Sequence, residues 1–126
     1  MALLDGLHPD LFTKLTAVLV EMATLGHPMR VCQGVRTAEY QHDLWLQGRV
    51  PSHPGPIVTQ CDGFLKKSNH QSGRAVDCCF EGNDPFGEHQ PWAAYGKAAK
   101  AQGLQWGGDF THPDRPHIEL VGTRGA

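Results

Sequence analysis

The sequence predicts a single domain, residues 1–126, that mixes α-helices with short β-strands. A chain of 126 residues is the length of one domain, and it can bury roughly two thirds of its unfolded surface. Some segments repeat apolar residues at three- and four-residue steps, as helices do, and others alternate as strands do. The high counts of glycine (15) and proline (9) indicate that loops occupy much of the remaining chain.

The first predicted element is an amphipathic helix over residues 9–25. Pro9 suits its first turn and Gly26 its C-terminal end. Its apolar stripe consists of Leu11, Phe12, Leu15, Val18, Leu19 and Met22. Such a stripe buries one helix face against a core, so we assign this segment to packing rather than chemistry.

A strand, a second helix and a long irregular segment follow. Residues 29–35 form the strand, and Thr37 is a suitable N-cap for a helix over residues 38–47. Residues 48–69 show no periodicity and contain several prolines and glycines. Because long irregular segments inside a compact domain are typically functional or mobile, we expect this one to form a wall or lid of a substrate cleft.

Residues 74–80 are predicted to form a central strand. Side chains alternate along a strand, so Ala75, Asp77 and Cys79 face one side. Asp77 therefore projects from a face of small residues, where a metal ion and a substrate could fit.

Three further elements complete the chain. A helix covers residues 91–102, a short strand covers residues 104–106, and a last strand covers residues 116–121. In the last strand His117 and Glu119 share a face, while the alternate residues point toward the core.

Charge and targeting signals exclude several classes of function. The net charge is −2, and no basic run extends beyond Lys66-Lys67, so a nucleic-acid partner is not expected. The sequence shows no signal peptide and no membrane span. We therefore expect a monomer made in the cytoplasm, which reaches an external substrate only after release by another factor.

The four cysteines do not form a metal-binding pattern. None belongs to a C-x-x-C pair, so a cysteine zinc site is not expected. We expect reduced, mostly buried thiols that pack as small apolar side chains.

Two histidines and one carboxylate could converge on a divalent metal. His70 ends a loop, Ser72-Gly73 supplies a turn, and Asp77 follows inside a strand, while His117 arrives from a neighbouring strand. Two imidazoles and a carboxylate suit Zn²⁺, and three protein ligands leave a fourth position open, as in catalytic zinc sites. A water in that position loses its proton near neutral pH and can attack a carbonyl.

Four other residues are candidates for the rest of the chemistry. Asp114, held before the last ligand by the turn at Pro116, is the candidate general base. Glu119 is an alternative base, or a partner that orients an imidazole. Arg36 could bind a substrate carboxylate or stabilise an oxyanion, and Ser68 could bind substrate or order the ligand loop.

Ordinary structural roles compete with these assignments. Asp77 alone could be a strand-end acid and Arg36 an ion-pair partner. The remaining histidines are interpreted as surface groups, although His112 is near enough to the site to be considered. Asp109 is interpreted as closing the turn at Gly107-Gly108.

The joint pattern resembles the M15 zinc metallopeptidases. This family includes D-Ala-D-Ala carboxypeptidases and dipeptidases, and the L-alanyl-D-glutamate endopeptidases of phage endolysins. The resemblance covers roughly residues 30–120. The matching segments are Ser68-x-His70-x-x-Gly73-x-Ala75-x-Asp77, Trp106-Gly107-Gly108-Asp109, Asp114-x-Pro116-His117-Ile118-Glu119 and, upstream, Gly34-Val35-Arg36-Thr37.

The resemblance implies a fold, a cofactor and roles for the site residues. The fold is α+β, a small antiparallel sheet flanked by helices, as in the Hedgehog signalling domain and the DD-peptidases. Zinc would be held by His70, Asp77 and His117. Asp114 would be the catalytic base and Arg36 would face the substrate.

Within the family, the closing motif is similar to the endopeptidase branch. Asp114 stands where the carboxypeptidase and dipeptidase branch has glutamate, whereas Phe110 replaces a second tryptophan common in the endopeptidases. The resemblance implies an endolysin-type, zinc-dependent peptidoglycan hydrolase that cleaves a stem-peptide amide, the L-Ala-D-Glu bond, by metal-activated water during host cell lysis. With no separate wall-binding domain expected, the cleft alone would find peptidoglycan.

Two alternative functions stay open at this point. One is a D-Ala-D-Ala carboxypeptidase or dipeptidase. The other is a non-catalytic binding module that zinc stabilises.

Overall fold

The computed structural model of the protein describes residues 4–122, and among them it contains three α-helices and four strands. Residues 123–126, for which the sequence predicts a frayed tail, lie outside the described residues. In chain order the elements are α1 (Pro9–Thr24), β1 (Met29–Gln33), α2 (Ala38–Leu46), β2 (Ala75–Phe80), α3 (Trp92–Ala101), β3 (Leu104–Trp106) and β4 (His117–Leu120).

The four strands form one antiparallel sheet in the order β1-β2-β4-β3. This confirms the α+β fold with a small antiparallel sheet. In the register, Asp77 lies opposite Gln33 of β1 on one side and opposite His117 of β4 on the other. Because paired residues project from the same face, the strand register places the side chains of Gln33, Asp77 and His117 side by side.

The opposite face of the sheet packs against α1 and α3 to form the core. The alternation predicted for β2 and β4 is confirmed, because the residues that do not face the site lie in this core. The core residues of these strands are Val76, Cys78, Phe80, Ile118 and Leu120. The predicted inward residues of α3, Trp92, Tyr95 and Ala99, are also buried.

One residue of the predicted apolar stripe on α1 does not belong to the core. Phe12 is 46% exposed, whereas Leu11 and Leu15 are buried. At 3.6 residues per turn, Phe12 lies roughly a quarter turn from the centre of the buried stripe. Its inclusion in the packing face was therefore wrong.

The long segment between α2 and β2 contains no helix or strand, as predicted. It is nevertheless built on specific contacts. Gly63 passes so close to α2 that a Cβ there would lie 2.6 Å from the carbonyl oxygen of Ala38. One oxygen of the Asp62 side chain accepts hydrogen bonds from the backbone N–H groups of residues 64–66, at 2.8–3.1 Å.

The cysteines have the burial that the sequence predicts. All four cysteines are free thiols, with Cys78 and Cys79 buried and Cys32 and Cys61 partly buried. Burial raises the pKa of Cys78 to about 12, which keeps this thiol protonated. Within residues 4–122, no helix has the length and apolar character needed to span a bilayer.

Candidate metal centre and active site

The structure brings the three predicted metal ligands to one point. His70 Nε2 lies 3.1 Å from His117 Nδ1. Asp77 Oδ1 lies 3.3 Å from the former and 3.4 Å from the latter nitrogen. The three atoms thus form a nearly equilateral triangle.

Hydrogen bonds on the far side of each ring determine which nitrogen carries a proton. His70 Nδ1 lies 3.1 Å from the carbonyl oxygen of Gly34, which can only accept, so Nδ1 is the donor. His117 Nε2 donates in the same way to Glu119 Oε1 at 2.6 Å. In the neutral rings, both nitrogens that face the triangle therefore present lone pairs.

The triangle fits a tetrahedral cation. With both rings neutral, the buried Asp77 Oδ1 has no hydrogen-bond partner, a costly state for a carboxylate oxygen unless a cation neutralises it. Zinc–nitrogen and zinc–oxygen bonds of about 2.0–2.1 Å imply tetrahedron edges of roughly 3.3–3.4 Å, close to the observed separations. His70, Asp77 and His117 are thus suited to hold Zn²⁺.

Arg36 holds the other oxygen of Asp77. Its Nη2 donates to Asp77 Oδ2 at 3.3 Å, its Nε to Gln33 Oε1 at 2.7 Å and its Nη1 to Gln41 Oε1 at 2.9 Å. These bonds use three of the five guanidinium N–H groups. The sequence identified Arg36 but assigned no role to Gln33 or to Gln41, which is fully buried.

The two candidate bases occupy different positions. Asp114 is half-exposed, with Oδ2 3.9 Å from His117 Nδ1, and lines a cleft. Glu119 is only 2% exposed, and its second oxygen accepts a hydrogen bond from Asn69 Nδ2 at 3.0 Å. This geometry favours Asp114 as the base and Glu119 as the residue that orients His117.

The remaining candidates have local roles. The Ser68 hydroxyl accepts a hydrogen bond from the His70 N–H at 3.2 Å, which orders the ligand loop. Asp109 pairs with Lys100 at 3.0 Å, outside the triangle. His112 is exposed and does not line the cleft.

The cleft beside the triangle has a volume of about 410 Å³. One wall is the irregular segment, which contributes residues from Val58 to Asn69, and the opposite wall includes Phe110 and Asp114. Of the segment 48–69 that was expected to form a wall, residues 58–69 therefore contribute to this cleft, whereas residues 48–57 do not line it.

Neighbouring charges perturb the titration of the site. Burial alone would raise the pKa of Asp77, but His117 and His70 outweigh it and hold the pKa well below its usual range. Burial would lower the pKa of His117, but the carboxylates of Asp77, Glu119 and Asp114 raise it to about 9. Burial and the charge of Asp77 raise the pKa of Asp114.

We expect metal binding at about pH 7.5 to release about one proton, because the ligand ring must be neutral. Without metal, His117 is protonated below its raised pKa of about 9. Metal affinity should therefore rise with pH until that value is passed. Calorimetry in two buffers of different ionisation enthalpy counts the protons, and a count of zero would contradict this assignment.

Gly107 is expected to tolerate no side chain. A Cβ there would overlap the carbonyl oxygen of Asp114 and lie 2.8 Å from the Cβ of His117. We expect Gly107→Ala to lose about 1–3 kcal/mol of stability through overpacking and to weaken metal binding. Gly26→Ala is the control for a loss of stability alone: nothing lies within 4 Å of its added Cβ, but its φ of 87° strains any side chain, so it should lose stability and keep its metal affinity. Thermal unfolding and metal titration compare the two, and equal metal binding would refute the steric argument.

Glu119→Gln is expected to weaken metal binding by roughly 10- to 100-fold. The neutral amide orients the His117 ring less firmly and makes Nδ1 a weaker ligand. Competition with a chromogenic chelator measures the change. Glu88→Gln, at an exposed position, should leave affinity unchanged. Unchanged affinity in Glu119→Gln would show that the carboxylate does not orient the ring.

Sequence comparisons relate the part of the chain that contains this site to known peptidases. The M15 peptidase family model described as D-alanyl-D-alanine carboxypeptidase matches residues 63–120, the part of the chain that contains the triangle and Asp114. The peptidoglycan L-alanyl-D-glutamate endopeptidase CwlK of Bacillus subtilis (strain 168) is 29% identical over 129 aligned positions, covering 93% of this chain and 75% of CwlK. The chain carries a peptidase M15 family domain.

Solved structures agree with this family assignment. The L-Ala D-Glu endopeptidase ChiX of Serratia marcescens is 26% identical, with a TM-score of 0.61 over 94% of this chain and 84% of ChiX. A mutant of the vancomycin resistance D,D-pentapeptidase VanY in complex with Zn(II) is 19% identical, with a TM-score of 0.69 over 92% of this chain and 73% of VanY. The second likeness shows the shared fold alone. Together the matched segment, CwlK and ChiX support a peptidoglycan metallopeptidase.

Proposed function

We propose that the protein is a zinc-dependent peptidoglycan endopeptidase that cleaves the L-Ala-D-Glu amide of stem peptides. The observation that carries the proposal is the triangle of His70, Asp77 and His117, with an unsatisfied buried carboxylate oxygen at one corner and Asp114 beside it. The substrate is inferred from CwlK and ChiX, both named as endopeptidases for the bond between L-Ala and D-Glu.

In this proposal, the ligand side chains are in position before substrate arrives. His70, Asp77 and His117 would hold Zn²⁺, which when bound would supply Lewis acidity toward a carbonyl and lower the pKa of water. Glu119 holds the His117 ring, and Arg36 holds Asp77 by its outer oxygen. The ligands thus need little rearrangement during turnover.

Asp114 performs the proton transfers. Its carboxylate lies at the cleft, so it can take a proton from the attacking water and deliver it to the leaving amine. Arg36, whose guanidinium also lines the cleft, can donate a remaining N–H to the oxyanion.

A D-Ala-D-Ala carboxypeptidase is the second candidate. The observation in its favour is the description of the family model that matches residues 63–120. The endolysin assignment, with lysis of a host cell and action outside the cytoplasm, stays a prediction, as does the monomeric state.

Mass spectrometry of muropeptides after digestion of purified peptidoglycan tests the proposal. New fragments with N-terminal D-Glu support the endopeptidase. Free D-Ala in their place would support the carboxypeptidase. If folded enzyme with bound zinc releases neither product, the substrate assignment is wrong.

A further inference from the structure

A second cavity, of about 330 Å³, adjoins the catalytic cleft. The two share four lining residues, because Arg36, Lys67, Ser68 and Asn69 face both. Arg36 also donates to Asp77 Oδ2 at 3.3 Å. The Arg36 side chain therefore lies between the second cavity and the metal ligand Asp77.

The lining of the second cavity is cationic. Three of its eight lining residues are Arg36, Lys67 and Arg74, and none of the eight is acidic. The others include hydroxyl and amide side chains, which can donate hydrogen bonds. Arginine and lysine around a cavity without a carboxylate are suited to bind an anion.

This positive charge is local rather than general. The chain has a net charge of −2 and 11 lysines and arginines in all, and four of these line the two cavities, namely Arg36, Lys66, Lys67 and Arg74. Within residues 4–122, no carboxylate forms an ion pair with Lys67 or Arg74. Their charges are therefore available to an incoming anion.

We propose that Lys67 and Arg74 in this cavity bind the free carboxylate of the glutamate residue whose amide nitrogen is the leaving group. The inference rests on the proposed endopeptidase function. A glutamate residue has two carboxyl groups, and only one continues the peptide. The other stays ionised within a few bonds of the scissile nitrogen, and the cavity is lined by Arg36, which donates to the metal ligand Asp77.

The cavity then determines specificity. An amide in place of the free carboxylate loses the charge-assisted hydrogen bonds to Lys67 and Arg74. Bonds of this kind correspond to roughly 10- to 100-fold in kcat/KM. The enzyme should therefore prefer peptides with glutamate over otherwise identical peptides with isoglutamine.

The test uses two synthetic stem peptides that differ only in a free carboxylate or a carboxamide on the glutamate. Wild-type enzyme with zinc should cleave the carboxylate peptide with the higher kcat/KM, and this preference should shrink as salt screens the charges. Arg74→Gln and Lys67→Gln should each raise KM for the carboxylate peptide more than they lower kcat. The ratio of the two substrates should fall toward unity in the double variant. Lys97→Gln, on the exposed surface of α3, should keep the wild-type ratio.

The outcomes separate this inference from the proposed function. If the wild-type enzyme cleaves both peptides with equal kcat/KM, or prefers the carboxamide, the cavity does not recognise the carboxylate. The proposed endopeptidase function is unaffected by that result. The same follows if Lys67→Gln, in an exposed loop, keeps the full preference. If neither peptide is cut although zinc is bound, the proposed function itself fails and the inference fails with it.

Discussion

Replacement of Asp114 by asparagine is expected to remove most turnover while the metal stays bound. Asp114 lies outside the ligand triangle, 3.9 Å from His117 Nδ1, so its loss removes no ligand. Asparagine keeps the size of the side chain but cannot accept the proton of the attacking water. Loss of a general base reduces kcat by roughly 10²–10⁴-fold. Muropeptide turnover and metal content, measured on the same preparation, separate the two effects.

Asp109→Asn is the matched control for this substitution. Asp109 belongs to the same connection between β3 and β4 but pairs with Lys100 on the surface. It should therefore keep nearly wild-type turnover. An Asp114→Asn enzyme that digests peptidoglycan at the wild-type rate would contradict the role of Asp114 as base, and one that loses its metal would place Asp114 among the ligands.

The second large effect is expected from His70→Ala or His117→Ala, which should abolish both zinc binding and detectable activity. Each substitution leaves only two of the three protein ligands that catalytic zinc sites use. Both rings are buried, so no other side chain takes the vacated position without rearrangement. Zinc content after dialysis, together with peptidoglycan digestion, measures the outcome.

The exposed His112 provides the control for the histidine substitutions, because it lies close to His117 in sequence but does not line the cleft. His112→Ala should retain one zinc and full activity. If His70→Ala bound zinc with wild-type affinity, the metal site would have to lie elsewhere.

Most of the fold was predictable because its signals are local. The stripe of α1, the alternation in β2 and β4, and the glycine after α1 each depend on neighbours within a few residues. Phe12 was misassigned because apolar character alone does not locate the centre of a buried stripe. The convergence of His70, Asp77 and His117 was also predictable, because the turn at Ser72-Gly73 and the resemblance to the M15 peptidases both placed them together.

The supporting contacts of the site were not predictable from the sequence. Asn69 reaches Glu119 across 50 residues of sequence, and Arg36 reaches Asp77 across 41. Gln41 is buried because the irregular segment folds over α2 and offers it the carbonyl of Cys61 at 2.9 Å. Such polar pairings depend on sheet register and loop path, which a single sequence does not reveal.

The central claim is that one zinc ion on His70, Asp77 and His117 makes this M15 domain catalytic. Stepwise addition of zinc to chelator-treated protein, with bound metal and peptidoglycan digestion measured at each step, tests it most directly. We expect no activity without metal and a linear rise in activity that ends at one equivalent of zinc. Full digestion by the metal-free protein, or activity that rises only with a second equivalent, would contradict it.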